Sequence, residues 1–297
     1  MALTSKAPAA AGSPGLPPQG LYEGCAPGAA GGDCIARLAR IRAAGFRYVL
    51  NYSAWYGSPA EVLAYADAAA ALGLRLIWPL NHPAWRGLTG LAATYATLAE
   101  SGVSSDRAPL ADAEFLDSAI NLVASHPATW GFYIGDEVPP EEAGLVAGLS
   151  ATVRRLAPDK PQLYVARPGA ALLEPFASFA DIAGVDTYPV GSGDPSVRQA
   201  ARGARAIATE AGVQTAMVLQ AFSWSQYQPT ANPPRYPSAH SLRAMRDAAI
   251  RHADPSLILW YSYQDILRSD RPQQHWCELA WAAFAPAPRA SRLGSCA

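Results

Sequence analysis

The sequence is poor in charge and holds no basic run. Only 16% of its 297 residues are Asp, Glu, Lys or Arg, and the formal net charge is −1. Nucleic acids and anionic membranes are met by clustered Lys and Arg, so neither partner is expected. Long hydrophobic runs are missing too. Charge or proline breaks every apolar stretch within about 18 residues, too short to cross a bilayer. Cysteine is scarce, and neither cysteine pair has CxxC spacing or a histidine at ligand spacing. HExxH, Walker, GxSxG and Cys-His arrangements are all absent. Metalloprotease, nucleotidase and α/β-hydrolase chemistry therefore lack support, and no metal or organic cofactor is implied.

The four cysteines fall into two local pairs. Disulfides Cys25–Cys34 and Cys277–Cys296 are expected, against the alternative of four separate thiols in a cytosolic protein. Bridges imply an oxidising compartment, secreted or periplasmic. Residues 1–19 are rich in Ala, Pro, Gly and Ser and contain no apolar signal core. They read as a flexible leader, either what remains after signal removal or an ordinary N-terminus. Residues 20–297 read as one domain, and a monomer is expected.

What is present is a rhythm. Half of the residues are apolar, and they recur as short β-rich runs at 20–24, 46–52, 74–80, 130–135, 162–166, 182–186, 216–220 and 257–263. Most are continuously apolar, as strands buried on both faces must be. Helical patterns lie between them. Ser58-Pro59-Ala60-Glu61 offers a cap, a first-turn proline and an early acid. Others run from Asp33 to Gly45, 112–125, Pro139 to Leu156, Pro195 to Gly212, Ser238 to His252 and Pro272 to Phe284. Eight β-then-α units over about 270 residues predict a single (β/α)8 barrel of the α/β class. A doubly wound sheet would want GxGxxG after its first strand, and GLYEGCAPG is not that.

A barrel builds its active site at the C-terminal strand ends. Those ends supply Tyr22, Glu23, Asn51, Tyr52, Trp55, Asn81, His82, Trp85, Asp136, Glu137, Arg167, Asp186, Tyr188, Gln220, Trp224, Tyr263 and Asp265. Aromatic faces stack on the C–H faces of sugar rings, and carboxylates and amides bind hydroxyls. Strand four is the most telling: Trp130-Gly131-Phe132-Tyr133-Ile134-Gly135 ends in Asp136-Glu137 and two prolines. Alternation along that strand puts Gly131, Tyr133, Gly135 and Glu137 on one face, turning Glu137 inward and Asp136 toward the helices or loop. Desolvation beside aromatic walls would raise a carboxyl there, as a general acid requires.

The pattern His126-Pro-Ala-Thr-Trp130-Gly-Phe-Tyr-Ile-Gly-Asp-Glu137, with Gly-Val-Asp186-Thr-Tyr-Pro189 after strand six, resembles barrel glycoside hydrolases of clan A and their many uncharacterised relatives. The resemblance implies glycosidic bond cleavage with Glu137 as general acid. In that clan an Asn usually precedes this glutamate, where Asp136 stands here. The clan's retaining enzymes carry a nucleophilic glutamate at the end of strand seven, where this chain has Gln220. Another carboxylate can serve as partner: Asp186 first, then Asp265, then Glu23. The pair can be spaced for inversion, or the barrel can bind glycans without cleaving them. Separations of about 5–5.5 Å mark retention and roughly 6.5–9.5 Å inversion. A neutral or mildly acidic glycan is expected against Tyr22, Trp55, Trp85, Tyr188, Trp224 and Tyr263. Asn81 and His82 are candidates for hydroxyl contacts. Arg167 is a candidate for an acidic sugar or for holding Asp136 or Glu137.

Overall fold

A strand buried on both faces has no polar side, so its runs must be covered by strands within and helices without. The protein, seen in a computed structural model, follows that logic. Residues 16–28, 33–80, 112–229 and 235–285 are described. The strands are β1 (Gln19–Glu23), β2 (Tyr48–Asn51), β3 (Arg75–Pro79), β4 (Thr129–Asp136), β5 (Gln162–Ala166), β6 (Ile182–Thr187), β7 (Gln214–Gln220) and β8 (Leu257–Tyr261). They pair in parallel in chain order, and β8 pairs back to β1, closing the barrel. The expected (β/α)8 architecture is what forms.

The helices are α1 (Cys34–Ala43), α2 (Pro59–Ala71), α3 (Asp112–Val123), α4 (Ala143–Leu156), α5 (Ala170–Ala177), α6 (Val197–Ala211), α7 (Ala239–Ala253), α8 (Tyr263–Leu267) and α9 (Pro272–Phe284). Among the described residues, no helix is long and apolar enough to cross a membrane. Alternate strand residues divide two cores. Leu50, Ile77, Tyr133, Leu163, Val218 and Leu259 fill the barrel. Val49, Trp78, Phe132, Ile134, Leu219 and Trp260 face the helices.

Two elements depart from expectation. Helix α5 was not read from the sequence: it is eight residues long and carries Pro175 within it, which breaks the pattern that announces a helix. The last strand stops at Tyr261 rather than at 263. Ser262 accepts from the Asp265 backbone and caps α8, so Tyr263 opens a helix and packs against Trp276 in the outer core.

Cys25 and Cys34 form a disulfide, tying the loop after β1 to the first residue of α1. The other expected bridge falls on Cys277 in α9 and on Cys296, which lies outside the described residues, as do residues 1–15 of the expected leader. Helix α2 begins as its sequence promised. The Ser58 side chain accepts from Glu61 N, and the Glu61 carboxylate accepts from Ser58 N at 2.7 Å. Ser58→Ala removes one half of this reciprocal cap. A loss of about 1 kcal/mol in chemical denaturation is expected, and an unchanged midpoint would show that the cap contributes nothing.

Candidate active site

Strand β4 delivers its acids by an irregularity. Tyr133 pairs with Leu163, yet Gly135 pairs with the next residue, Tyr164. One extra residue on β4 is a bulge, and a bulge re-aims the side chains that follow. A Cβ at Gly135 would collide with the Tyr164 ring, which belongs to the outer core, so Gly135 faces outward. Asp136 is thereby turned inward, correcting the parity reading. Tyr133 and Tyr52 each donate a hydroxyl to its carboxylate at 2.7 Å. Burial pushes Asp136 up to about 6, the two tyrosine bonds pull it down, Glu137 adds charge repulsion, and Arg167 subtracts.

Glu137 reaches the same space by a different route. Its φ is 49°, in the left-handed region that a residue with a Cβ rarely adopts. Its N–H still donates to Val165 O at 2.9 Å, so the turn is locked at the end of the ladder. Arg167 Nε donates to Glu137 Oε2 at 2.7 Å, an ion pair that needs Glu137 as a carboxylate. Strained backbone held by its surroundings is typical of functional positions.

Asp186, near the end of β6, completes the group. It is only 5% exposed, and its carboxyl hydrogen-bonds with that of Glu137. Burial raises its pKa well above the usual carboxylate range, with Glu137's charge next and Asp136 adding less. Asp186 Oδ1 is buried and finds no donor in the protein. Two carboxyls this close cannot both ionise cheaply. Their contact is closer than either spacing for carboxyls that act on opposite faces of a sugar ring.

These acids line a cavity of about 510 Å³. Its walls are the rings of Tyr52, Tyr188, Phe222, Trp224, Tyr227 and Tyr261. Tyr188 and Tyr261 lie 5.7 Å apart by ring centroid, and Phe222 lies 5.1 Å from both Trp224 and Tyr227. Trp224 Nε1 donates to Tyr188 O at 3.1 Å, which fixes the indole. Tyr227 donates to Asp265 Oδ2 at 2.8 Å, and Ser262 Oγ donates to the same oxygen at 2.6 Å.

Of the residues read from strand ends, Tyr52, Asp136, Glu137, Arg167, Asp186, Tyr188 and Trp224 meet at this cavity. Asp265 stands behind Tyr227. Tyr22 is buried beneath, its ring 5.2 Å from both Tyr52 and Tyr261 and its hydroxyl 3.3 Å from that of Tyr133. Glu23 accepts from Arg37 at 2.9 Å and from Gly24 N at 2.8 Å, off the cavity. Asn51 donates to Cys25 O and accepts from Ser53 N, shaping its own loop. Trp55 packs on Trp78 and donates to Pro79 O on the helix side of the barrel. Tyr263 is in the outer core. Asn81, His82 and Trp85 lie outside the described residues.

Gln220 is not at the cavity wall. It is fully buried and exchanges both amide bonds with the backbone of Val190, at 2.8 and 2.9 Å, while Nε2 also reaches Phe222 O at 3.1 Å. It clamps the loop after β6. Gln220→Glu therefore leaves two carbonyls without their donor. A destabilisation of about 2 kcal/mol is expected, with no gain of hydrolysis; a thermal melt matching the parent would refute the clamp.

The sequence places Tyr52 and Phe222 at strand ends and Tyr133 on an inward face without giving them a role, and it does not single out Tyr261, Tyr227 or Asp194. Tyr261 ends β8, so its position alone marks it. Tyr227 follows a short 3-10 turn at Trp224–Gln226, which no periodicity announces. Among the described residues, no group of three or more His, Cys, Asp or Glu is disposed to hold a metal ion.

No family model and no curated protein matches the chain. Solved structures do match it in fold. A putative α-L-fucosidase from Bacteroides thetaiotaomicron is 11% identical at a TM-score of 0.61, over 95% of this chain and 99% of that one. An endo-β-1,4-mannanase from Thermotoga petrophila is 11% identical at 0.56, over 84% of this chain and 68% of that one. A glycosyl hydrolase family 2 member from Bacteroides cellulosilyticus is 13% identical at 0.53; 84% of this chain is covered, but only 28% of that longer protein. The barrel is thus of the kind that glycoside hydrolases use, and the likeness extends to the fold.

Proposed function

We propose that the chain hydrolyses glycosidic bonds, with Glu137 giving the proton to the leaving oxygen and Asp186 sharing that proton with it. One observation carries this reading. A carboxyl facing an aromatic cavity is hydrogen-bonded to a second, buried carboxyl whose protonated form is favoured. Such a pair stores one proton beside the substrate space, as acid catalysis near neutral pH requires. Glu137 is the more accessible member, its side chain 23% exposed. Asp186 then acts on the same side as Glu137 rather than across the ring from it. The aromatic rings supply stacking faces, and Asp136, held by two tyrosines, supplies an acceptor for sugar hydroxyls. Tyr22, Trp55, Gln220 and Tyr263 serve the scaffold in this reading. The Cys25–Cys34 disulfide supports an extracytoplasmic location.

The test is a panel of polysaccharides and aryl glycosides incubated with the protein and with Glu137→Gln, and assayed for new reducing ends. Products from the parent alone support the reading. Equal products from both remove Glu137 from the chemistry. Binding without products from either would make the barrel a glycan receptor, the reading that the absence of a strand-seven carboxylate favours.

A further inference from the structure

The lining of the cavity is unbalanced in charge. Among the described residues, the carboxyls of Asp136, Glu137, Asp186 and Asp194 face a single guanidinium, Arg167. That one cation is already committed to Glu137 at 2.7 Å. No lysine or histidine lines the cavity among the described residues. With Asp186 holding its proton, the remaining carboxylates still leave the described lining net negative. An acidic sugar would meet repulsion here, and a neutral one would leave the excess uncompensated. The rest of the lining is largely aromatic, and ring faces attract cations, more so when water is excluded. Independently, Asp186 lines this space, and its Oδ1 is buried without a donor from the protein. A buried acceptor left unmatched by the protein is a place for a ligand's donor.

We propose that the cavity recognises a sugar carrying a free amine, bound as its ammonium between the aromatic rings and Asp186. This rests on the cavity being the glycan site and names the class of glycan it takes. The ammonium donates to Asp186 Oδ1 and favours that carboxyl as the anion. The proton shared by the pair then moves to Glu137, the member that faces the scissile oxygen, at the expense of its ion pair with Arg167. No proton is gained or lost by the pair. Cationic substrate thus places the proton on the group that must deliver it.

The test needs no turnover. Methyl glycosides of glucosamine, galactosamine and mannosamine are titrated calorimetrically beside their hydroxyl and N-acetyl counterparts, at a pH where the amine is protonated. At least one amine should bind about tenfold or more tightly than both counterparts, and added salt should erode that advantage. In Asp186→Asn the amine's advantage over its own hydroxyl counterpart should fall to about threefold or less. If every amine binds no tighter than its counterparts, or none binds, the inference is overturned. An advantage indifferent to salt overturns it equally, and that measurement uses the unmodified protein should the variant fail to fold. Hydrolysis of neutral glycans without amine preference would defeat this inference and leave the hydrolase reading standing. Amine binding without any hydrolysis would do the reverse.

Discussion

Glu137→Gln should lower kcat on any cleaved glycan by about a hundredfold to ten-thousandfold, the usual worth of a positioned proton donor. The substitution is nearly isosteric. Glutamine can occupy the same backbone, whose N–H bond to Val165 O does not involve the side chain. It can still offer an oxygen to Arg167. What it lacks is a proton to give, so KM should move little while kcat collapses. A leaving group that needs no proton sharpens the test. For a dinitrophenyl glycoside the loss should shrink to about tenfold or less, because a stable phenolate departs unaided. A loss of equal size for good and poor leaving groups would mean that Glu137 positions substrate or holds the loop.

The barrel was legible because parallel strands must be covered on both faces. The runs around Val49, Ile77, Leu163 and Leu259 could hardly be anything else, and Ser58 and Gly212 marked helix ends by local chemistry alone. The orientation of the acids was not legible. Whether Asp136 or Glu137 turns inward depends on a bulge, and the bulge depends on Gly135 lying against Tyr164 on a neighbouring strand. Alternation read from one strand cannot see that packing. Gln220 failed for a similar reason. Its position at the end of β7 suggested a substrate contact, but the partner that engages it is Val190, 30 residues earlier. The same limit explains Trp55 and Tyr263, aromatic strand-end neighbours that pack outward. Sequence gave the set of side chains near the rim; the folded neighbourhood decided which of them share a cavity.

The second large effect is on stability as a function of pH. Asp136 has its pKa raised from 3.8 to about 6, chiefly by burial. The folded state therefore holds this proton more tightly than the unfolded chain does. Below about pH 4 both states are protonated and Asp136 makes no difference. As pH rises toward 6, the unfolded chain releases its proton first, and the folded state loses ground until it ionises as well. The gap of about two units, at 1.36 kcal/mol per unit, amounts to about 3 kcal/mol lost between roughly pH 4 and 7. Asparagine at this position cannot ionise, so Asp136→Asn should lose that share of the slope. One tyrosine hydroxyl would face the amide without an acceptor, a cost of about 1 kcal/mol that is the same at every pH. The variant should thus be less stable than the parent in acid and more stable near neutrality, the two curves crossing between. Removing the Asp136 charge also relieves Asp186, whose pKa it helps to raise, which adds to the gain on the alkaline side. Urea denaturation at pH steps across this range measures both curves, and groups whose titration Asp136 does not affect cancel in their difference. Parallel curves would mean that Asp136 ionises as freely in the folded protein as in the unfolded chain, and that the tyrosine-lined floor exerts no hold on its proton.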